Sequence, residues 1–215
     1  MIEQIFVCCV QITDARAVDA LDNSIKSLNI ATNMSKKKIA VLIGSLRKES
    51  ANRKLANEVI KLAPDTLELE IVEIGQLAHY NEDLDSNPPA EWEAFREKIG
   101  AADGYLFFTP EYNRTISGVL KNALDVASRP YGQNKWGGKP GAIVSSSMSP
   151  LGGEAANHAL RQPMVFLNIY MMQQPEAYIG NSWELFDEQN NLKSEETRAF
   201  LQSWVNAFAE WVYKF

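Results

Sequence analysis

Hydrophobic positions along this chain switch repeatedly between short continuous runs and longer stretches with helical spacing. The run at residues 104–109 is apolar up to its last residue, Thr109, which is typical of a central strand covered on both faces in a parallel sheet. Each short run is followed by a stretch whose apolar residues recur every three or four positions. This alternation predicts an α/β fold in which helices cross over between parallel strands.

Five strand–helix units follow from this pattern. The predicted strands cover residues 38–43, 67–74, 104–109, 141–146 and 170–173. The predicted helices cover about residues 50–62, 91–101, 117–127 and 153–168, and a closing helix begins near residue 194. Pro163 lies inside the fourth helix and predicts a kink or an early break there.

Chain length and composition favour one doubly wound domain. With 215 residues, of which 46% are hydrophobic, the chain can bury one sizeable core and is short for two. Residues 34–38 resemble a natural start directly before the first strand. We therefore expect residues 1–35 to be a poorly ordered N-terminal extension, of which residues 1–33 are dispensable, and residues 36–215 to form the functional domain.

Charge and composition argue against several classes of function. The net charge is −6 and no long basic block is present, so binding to nucleic acid lacks its usual electrostatic source. No apolar segment is long enough to cross a bilayer, and we expect a cytoplasmic protein that acts on a small molecule. The only cysteines are Cys8 and Cys9, and the only histidines, His79 and His158, lie far apart. These residues offer little for a metal site or a Cys–His nucleophile.

The loop after the first strand has the composition of a phosphate site. Ser45, Ser50 and Asn52 can donate hydrogen bonds, and Arg47 can make a charge-assisted contact. The helix that begins near Ser50 would point its free N–H groups at the same place. Neither the Rossmann glycine pattern nor the Walker pattern is present. For this loop alone, an ordinary turn with a serine helix cap is an equally good interpretation.

Two further loops leave the same predicted edge of the sheet. Residues 110–114 provide a planar aromatic side chain and backbone amides, and residues 145–153 provide a bed of small residues. Ligands of open parallel sheets bind outside the carboxyl ends of the strands. A phosphate site, an aromatic loop and a flat bed together suit flavin mononucleotide (FMN).

Several motifs in this order resemble the NADPH-dependent FMN reductase family of flavodoxin-like proteins, which includes quinone, chromate and azo-dye reductases. The resemblance covers about residues 38–180. Its most specific parts are Gly-Ser-Leu-Arg-Lys-Glu-Ser-Ala-Asn at 44–52 and Thr-Pro-Glu-Tyr-Asn at 109–113. Shorter matches lie at 118–125, 127–130, 138–140, 152–153, 160–162 and 174–176. The fold implied is a three-layer sandwich with a five-stranded parallel sheet of order 2-1-3-4-5.

The resemblance also implies a cofactor and its binding residues. Three groups of residues are implied to bind FMN: Ser45, Arg47, Ser50 and Asn52 at the phosphate, Pro110, Glu111, Tyr112 and Asn113 along the isoalloxazine, and Ser146 and Ser147 on the other side. The flavin supplies the reactive atom, so we expect neither a catalytic side chain nor a metal. NADPH or NADH would reduce the flavin, and a quinone, free flavin, azo compound or chromate would reoxidise it by a ping-pong mechanism. A homodimer or homotetramer is implied.

Other interpretations of these residues and of the fold stay open at this point. Glu111 and Arg114 could form a solvated ion pair, Tyr112 could be a packing aromatic, and the serines could form a polar turn. The protein could be a flavodoxin-type electron carrier without enzymatic activity. It could also be a regulatory or scaffold protein that keeps the fold with an empty site.

Overall fold

The computed structural model describes residues 35–215, which fold around a parallel sheet with α-helices on both faces. The strands are β1 (Lys37–Ile43), β2 (Leu67–Ile71), β3 (Gly104–Pro110), β4 (Pro140–Ser146), β5 (Tyr170–Met171) and β6 (Ala177–Ile179). The helices are α1 (Ala51–Leu62), α2 (Ala90–Ala101), α3 (Gly118–Ser128), α4 (Glu154–Leu167) and α5 (Glu195–Val212), with a 3₁₀ turn at Glu82–Leu84.

The strand order is β2-β1-β3-β4-β5, the flavodoxin-like order that the resemblance implied. The sequence predicts one strand, at residues 170–173, beside β4 at the edge of the sheet. Two short strands, β5 and β6, lie there instead. β5 pairs with Pro140 and Gly141 of β4, and β6 pairs with the other end of β4, from Val144 to Ser146. Pro175 lies between the two short strands and has no N–H to donate, which explains why one continuous strand does not form.

The sheet separates two hydrophobic cores and so gives three layers. In β3, Tyr105 and Phe107 face the core shared with α2, α3 and α4. Leu106 and Phe108 face the core shared with α1 and α5. All four side chains are fully buried, which confirms that this strand is covered on both faces.

Helix α4 contains Pro163 yet continues to Leu167. Of the two outcomes predicted for this proline, a kink or an early break, the early break is therefore wrong. A proline removes one backbone hydrogen bond from a helix interior. Leu160, Met164 and Leu167 on the same helix are buried against the sheet. We infer that this packing on both sides of the proline keeps the helix intact.

The sequence also predicts a poorly ordered N-terminal extension and no segment that crosses a bilayer. The extension predicted for residues 1–35 lies, apart from Ser35, outside the described residues. Within residues 35–215, no helix is long and apolar enough to span a bilayer.

Candidate functional site

The three loops singled out from the sequence meet at the carboxyl edge of the sheet. β1, β3 and β4 are neighbours, so the loops that follow them leave side by side. A Cβ atom on Gly44 would lie 3.0 Å from both Pro110 Cδ and Ser117 Oγ, which places the start of the first loop directly against the second. Pro110 in turn pairs with Ser146. Residues from all three loops therefore border one site.

The first loop, residues 44–50, presents free donors. Within the part of the chain that the structure describes, no backbone N–H of residues 45–52 donates a hydrogen bond to the protein. Ser50 caps α1 by accepting a hydrogen bond from Arg53 N at 3.2 Å, so the cap interpretation holds for its oxygen while its hydroxyl hydrogen stays available. Ser45 is buried beside this run. Free amides at a helix N-terminus form a binding site for an anion.

Arg47 supplies an uncommitted positive charge at this loop. Its side chain is exposed and makes no hydrogen bond or ion pair with any residue between 35 and 215. By contrast, the guanidinium of Arg53 donates to Glu73 at 2.7 and 2.9 Å. Lys54 Nζ lies 2.7 Å from Glu49, and this hydrogen bond lowers the pKa of the Glu49 carboxyl. Arg53 and Lys54 are thus paired, whereas Arg47, like the adjacent Lys48, has no ion-pair partner within residues 35–215 and is left to bind a ligand anion.

The second loop, residues 111–117, holds Tyr112 at the edge of the site in a tight turn. Tyr112 and Thr115 exchange backbone hydrogen bonds of 2.9 and 3.0 Å. Between them, Asn113 and Arg114 both have positive φ, 51° and 65°, as a type I′ turn requires. Asparagine tolerates this conformation better than most residues. The turn leaves the Tyr112 ring 45% exposed, available to contact a planar ligand.

Glu111 links the second loop to the third. Its Oε2 accepts a hydrogen bond from Ala156 N, at 3.3 Å, in the first turn of α4. The N-cap residue of that helix, Gly153, provides no side-chain cap, so Glu111 takes this role from another part of the chain. Its other oxygen lies 3.3 Å from Arg114, which is the ion pair that the sequence left open. The carboxylate of Glu111 therefore fixes the second loop to the start of α4, directly after the third loop.

The third loop, residues 147–153, closes the site on the side of β4. Ser146 is 2% exposed, and its Oγ has no hydrogen-bond partner within residues 35–215. Ser147 donates from its N–H to Ile179 O at 3.2 Å, which anchors the loop to β6. Gly152 and Gly153 have φ of 62° and 78°, a region that favours glycine.

A buried amide behind the third loop was missed by the sequence interpretation. Asn157 is fully buried on α4 and donates to Ser145 Oγ at 3.4 Å. It accepts a hydrogen bond of 3.2 Å from Arg161 Nε, and Arg161 also donates to Met172 O. The bond from Asn157 to Ser145 holds the end of β4 against α4. Asn157 is one polar position on an amphipathic helix, and nothing in its local pattern distinguishes it from a surface residue.

A tyrosine and a histidine contact each other beside the third loop, with Tyr178 Oη 3.3 Å from His158 Nε2. Tyr178, next to the third loop, has its pKa raised to about 12, first because burial disfavours the phenolate and then because Glu176 is close. Among residues 35–215, no three His, Cys, Asp or Glu side chains are grouped to hold a metal ion.

Two buried atoms without partners indicate that a ligand completes this site. Asn52 Oδ1, in the first turn of α1, and Ser146 Oγ, at the end of β4, have no hydrogen-bond partner in the described part of the chain. Buried polar atoms are rarely left unpaired. FMN offers a phosphate for the free amides and Arg47, and hydroxyl groups along its ribityl chain for such buried atoms. The residues present therefore fit FMN.

Comparison with known proteins agrees with this geometry. The family model for NADPH-dependent FMN reductases matches residues 37–184. A quinone reductase from Pseudomonas putida is 55% identical over 175 residues, which cover 81% of this chain and 94% of the relative. A 2-hydroxy-1,4-benzoquinone reductase from a Burkholderia species is 47% identical over 175 residues, covering 81% and 96%.

A solved structure extends the likeness to three dimensions. FerB from Paracoccus denitrificans, a flavoenzyme NAD(P)H:(acceptor) oxidoreductase, gives a TM-score of 0.77 at 42% sequence identity. The superposition covers 83% of this chain and 98% of FerB.

Proposed function

Since the chain belongs to the NADPH-dependent FMN reductase family, an oxidoreductase family that uses FMN and NAD(P)H, we propose that its small-molecule acceptor is a quinone. The observation that supports FMN binding is the site itself. A run of free amides, the unpaired Arg47 and the buried atoms Asn52 Oδ1 and Ser146 Oγ all border one edge of the sheet. The names of the quinone reductase relatives support the choice of acceptor.

Each loop has a distinct task in this proposal. Residues 45–52 bind the phosphate of FMN through backbone amides, the hydroxyls of Ser45 and Ser50, and the guanidinium of Arg47. Residues 110–113 lie along one part of the isoalloxazine, and Ser146 and Ser147 close the opposite side. When bound, FMN supplies the redox chemistry by taking hydride from NAD(P)H and giving electrons to the acceptor.

The protein contributes orientation and electrostatics rather than a catalytic side chain. The turn at Tyr112–Thr115 and the Glu111 contact to α4 hold the second loop rigidly. The N–H groups of Tyr112 and Ser147 already donate to Thr115 O and Ile179 O. The N–H group of Asn113, which donates to no residue between 35 and 215, would stabilise negative charge on the bound ring. We also propose that the reductant and the acceptor use the same exposed face in turn, which gives ping-pong kinetics. Free flavins, azo compounds and chromate are further candidate acceptors.

Steady-state kinetics of the FMN-loaded protein test this function. With NADPH or NADH and a benzoquinone varied together, we expect parallel lines in double-reciprocal plots, because the two substrates never occupy the site at once. FMN-free protein prepared from the same material is the control and should be inactive until FMN is returned. Protein that takes up FMN but does not oxidise NAD(P)H would contradict the enzyme and favour a flavodoxin-type carrier. Protein that takes up no FMN would favour a scaffold.

We further propose that the protein acts in the cytoplasm, where NAD(P)H is available, and as a homodimer or homotetramer. Val165, Phe166 and Tyr131 are large side chains with 83%, 87% and 90% of their surface exposed. A second copy of the chain would cover such apolar surface. Sedimentation of the FMN-loaded enzyme should give a dimer or tetramer, and a fully active monomer would contradict this part.

A further inference from the structure

Arg114 has a backbone conformation that is costly for an arginine. It is the third residue of the tight turn Tyr112–Thr115 and has φ of 65°. Turns of this type strongly prefer glycine at that position, as in Asn-Gly, because a Cβ atom is crowded when φ is positive. Here Asn113 is followed by arginine. Backbone strain of this kind is concentrated at binding and active sites, which points to a role for the arginine side chain.

The guanidinium of Arg114 is largely available to a ligand. Its side chain is 75% exposed, and its only hydrogen bond within residues 35–215 joins it to Glu111 Oε1 at 3.3 Å. A guanidinium has five N–H groups, so most of these donors are left to solvent. The Glu111 carboxylate is only 15% exposed, and its other oxygen is already bound by Ala156 N.

Arg114 is the one cation of the second loop. Between residues 104 and 120, the only charged side chains are those of Glu111 and Arg114. The next cation along the chain, Lys121, is paired with Asp125 at 2.7 Å. Because Glu111 also faces the positive N-terminal end of α4, its negative charge is shared between that helix and Arg114. The guanidinium is therefore only partly neutralised on its solvent side.

The turn brings this cation next to the aromatic side chain of the site. Tyr112 is exposed in the same turn, and the proposed function places it along the isoalloxazine. The Cα atoms of Tyr112 and Arg114 lie within about 7 Å of each other, the most that two residues can span. A molecule that approaches the ring over the second loop would come within reach of the long arginine side chain.

We propose that Arg114 is a specificity-determining residue that favours acceptors with a negative charge next to their reducible carbonyl groups, namely ionised hydroxyquinones. A hydroxyl group on a quinone ring is acidic because its conjugate base is delocalised onto a carbonyl, and such quinones are anions at neutral pH. The planar guanidinium can donate two parallel hydrogen bonds to adjacent oxygen atoms of that anion. The inference rests on the proposed function, because it assumes that a quinone reaches the flavin over the second loop. Arg47 stays with the FMN phosphate.

Binding of two quinones with the same ring system tests this role. Lawsone, a hydroxynaphthoquinone, is ionised at neutral pH, and menadione, the corresponding methylnaphthoquinone, is neutral. The oxidised, FMN-loaded enzyme has no electrons to transfer, so calorimetric titration without NAD(P)H measures binding alone. Arg114→Gln should raise Kd for lawsone about five- to tenfold and Kd for menadione less than about twofold, because only the anion loses a charge-assisted bond at this exposed position. Arg114→Lys keeps the charge and should retain part of the preference.

Arg114→Gly separates ligand binding from stability. Glycine removes the steric cost at φ 65°, and loss of the exposed ion pair with Glu111 costs little. The urea concentration at the unfolding midpoint should therefore be at least as high as for the wild-type protein. The same variant should weaken lawsone binding as much as Arg114→Gln does. A purely structural role of the side chain would not produce this combination.

Lys98→Gln is the matched control. It removes an exposed cation that is likewise paired with a carboxylate, Glu70, but from the last turn of α2, directly before β3 begins and thus at the opposite edge of the sheet. Kd should stay the same for both quinones. Equal losses of lawsone and menadione in Arg114→Gln, an unchanged Kd for lawsone, or an equal effect of Lys98→Gln would overturn the role of Arg114. Wild-type protein that takes up no FMN, or that binds neither quinone once loaded, would instead overturn the proposed function.

Discussion

Arg47→Ala is expected to weaken FMN binding by about 10- to 150-fold. The estimate follows from the loss of hydrogen bonds between a charged side chain and an anion, each worth about 1.5–3 kcal/mol. Arg47 has no hydrogen bond or ion pair in the described part of the chain, and it lowers the pKa of the exposed Glu49 carboxyl less than Lys54 does, so its removal costs the folded protein little. The free energy of unfolding of the FMN-free protein should therefore change little. Fluorescence titration of FMN measures the first quantity, and urea denaturation measures the second.

Arg53→Ala is the control for this change. It removes a cation of the same type only six positions along the chain, but one whose guanidinium is already held by Glu73. Loss of this exposed ion pair costs little, and FMN affinity should change less than about threefold. If both alanine variants bind FMN equally well, general positive potential explains the binding, and the specific role of Arg47 is wrong.

Gly152→Ala is expected to destabilise the protein by about 3 kcal/mol or more and to reduce FMN binding. Two costs add. The left-handed backbone at φ 62° costs a non-glycine residue about 1–2 kcal/mol. In addition, the new Cβ would lie 2.5 Å from Tyr178 C and 2.7 Å from Ile179 N. Backbone atoms of β6 cannot rotate away as a flexible side chain can, so the third loop must move from its place at the site.

Gly138→Ala separates these two costs. Gly138 has φ 80°, and a Cβ there would meet nothing within 4 Å. This variant has the backbone strain without the clash. Its free energy of unfolding should fall by about 1–2 kcal/mol, and its FMN affinity should be normal. Thermal or urea denaturation of both variants, together with FMN titration, makes the comparison. Equal destabilisation of the two variants would show that close packing of the third loop on β6 is unimportant.

Much of the fold could be predicted because its signals are local. The continuous apolar run of β3 predicts a buried central strand, and the alternation of strands and helices predicts the parallel sheet. The order 2-1-3-4-5 came from the family resemblance, which the comparisons confirm. The phosphate loop could also be found from sequence, since glycine, serine and arginine directly after a strand carry the chemistry of an anion site.

Other features depend on contacts between distant residues and could not be predicted in this way. Glu111 caps α4, which begins far along the chain, and Asn157 reaches back to Ser145. Neither contact leaves a local pattern. The division of the fifth strand depends on which end of β4 each short segment pairs with.

The continuation of α4 through Pro163 shows how packing outweighs a local rule. The proline predicts a kink or a break because it removes one hydrogen bond and its ring clashes with the carbonyl of the preceding turn. Burial of Leu160 and Met164 contributes about 1.5–3 kcal/mol for each side chain, and the two together offset the ~3 kcal/mol that a proline costs in a helix interior. The proline therefore stays inside a continuous helix.

The central claim is that the first loop binds FMN by its phosphate, and a comparison of FMN with riboflavin tests it most directly. Riboflavin has the same ring and ribityl chain but lacks the phosphate. Titration of the FMN-free wild-type protein should give at least about 100-fold tighter binding of FMN than of riboflavin, since several charge-assisted bonds are lost with the phosphate. In Arg47→Ala this ratio should shrink, because FMN loses affinity and riboflavin does not. Equal affinities of the wild-type protein for FMN and riboflavin would contradict the account.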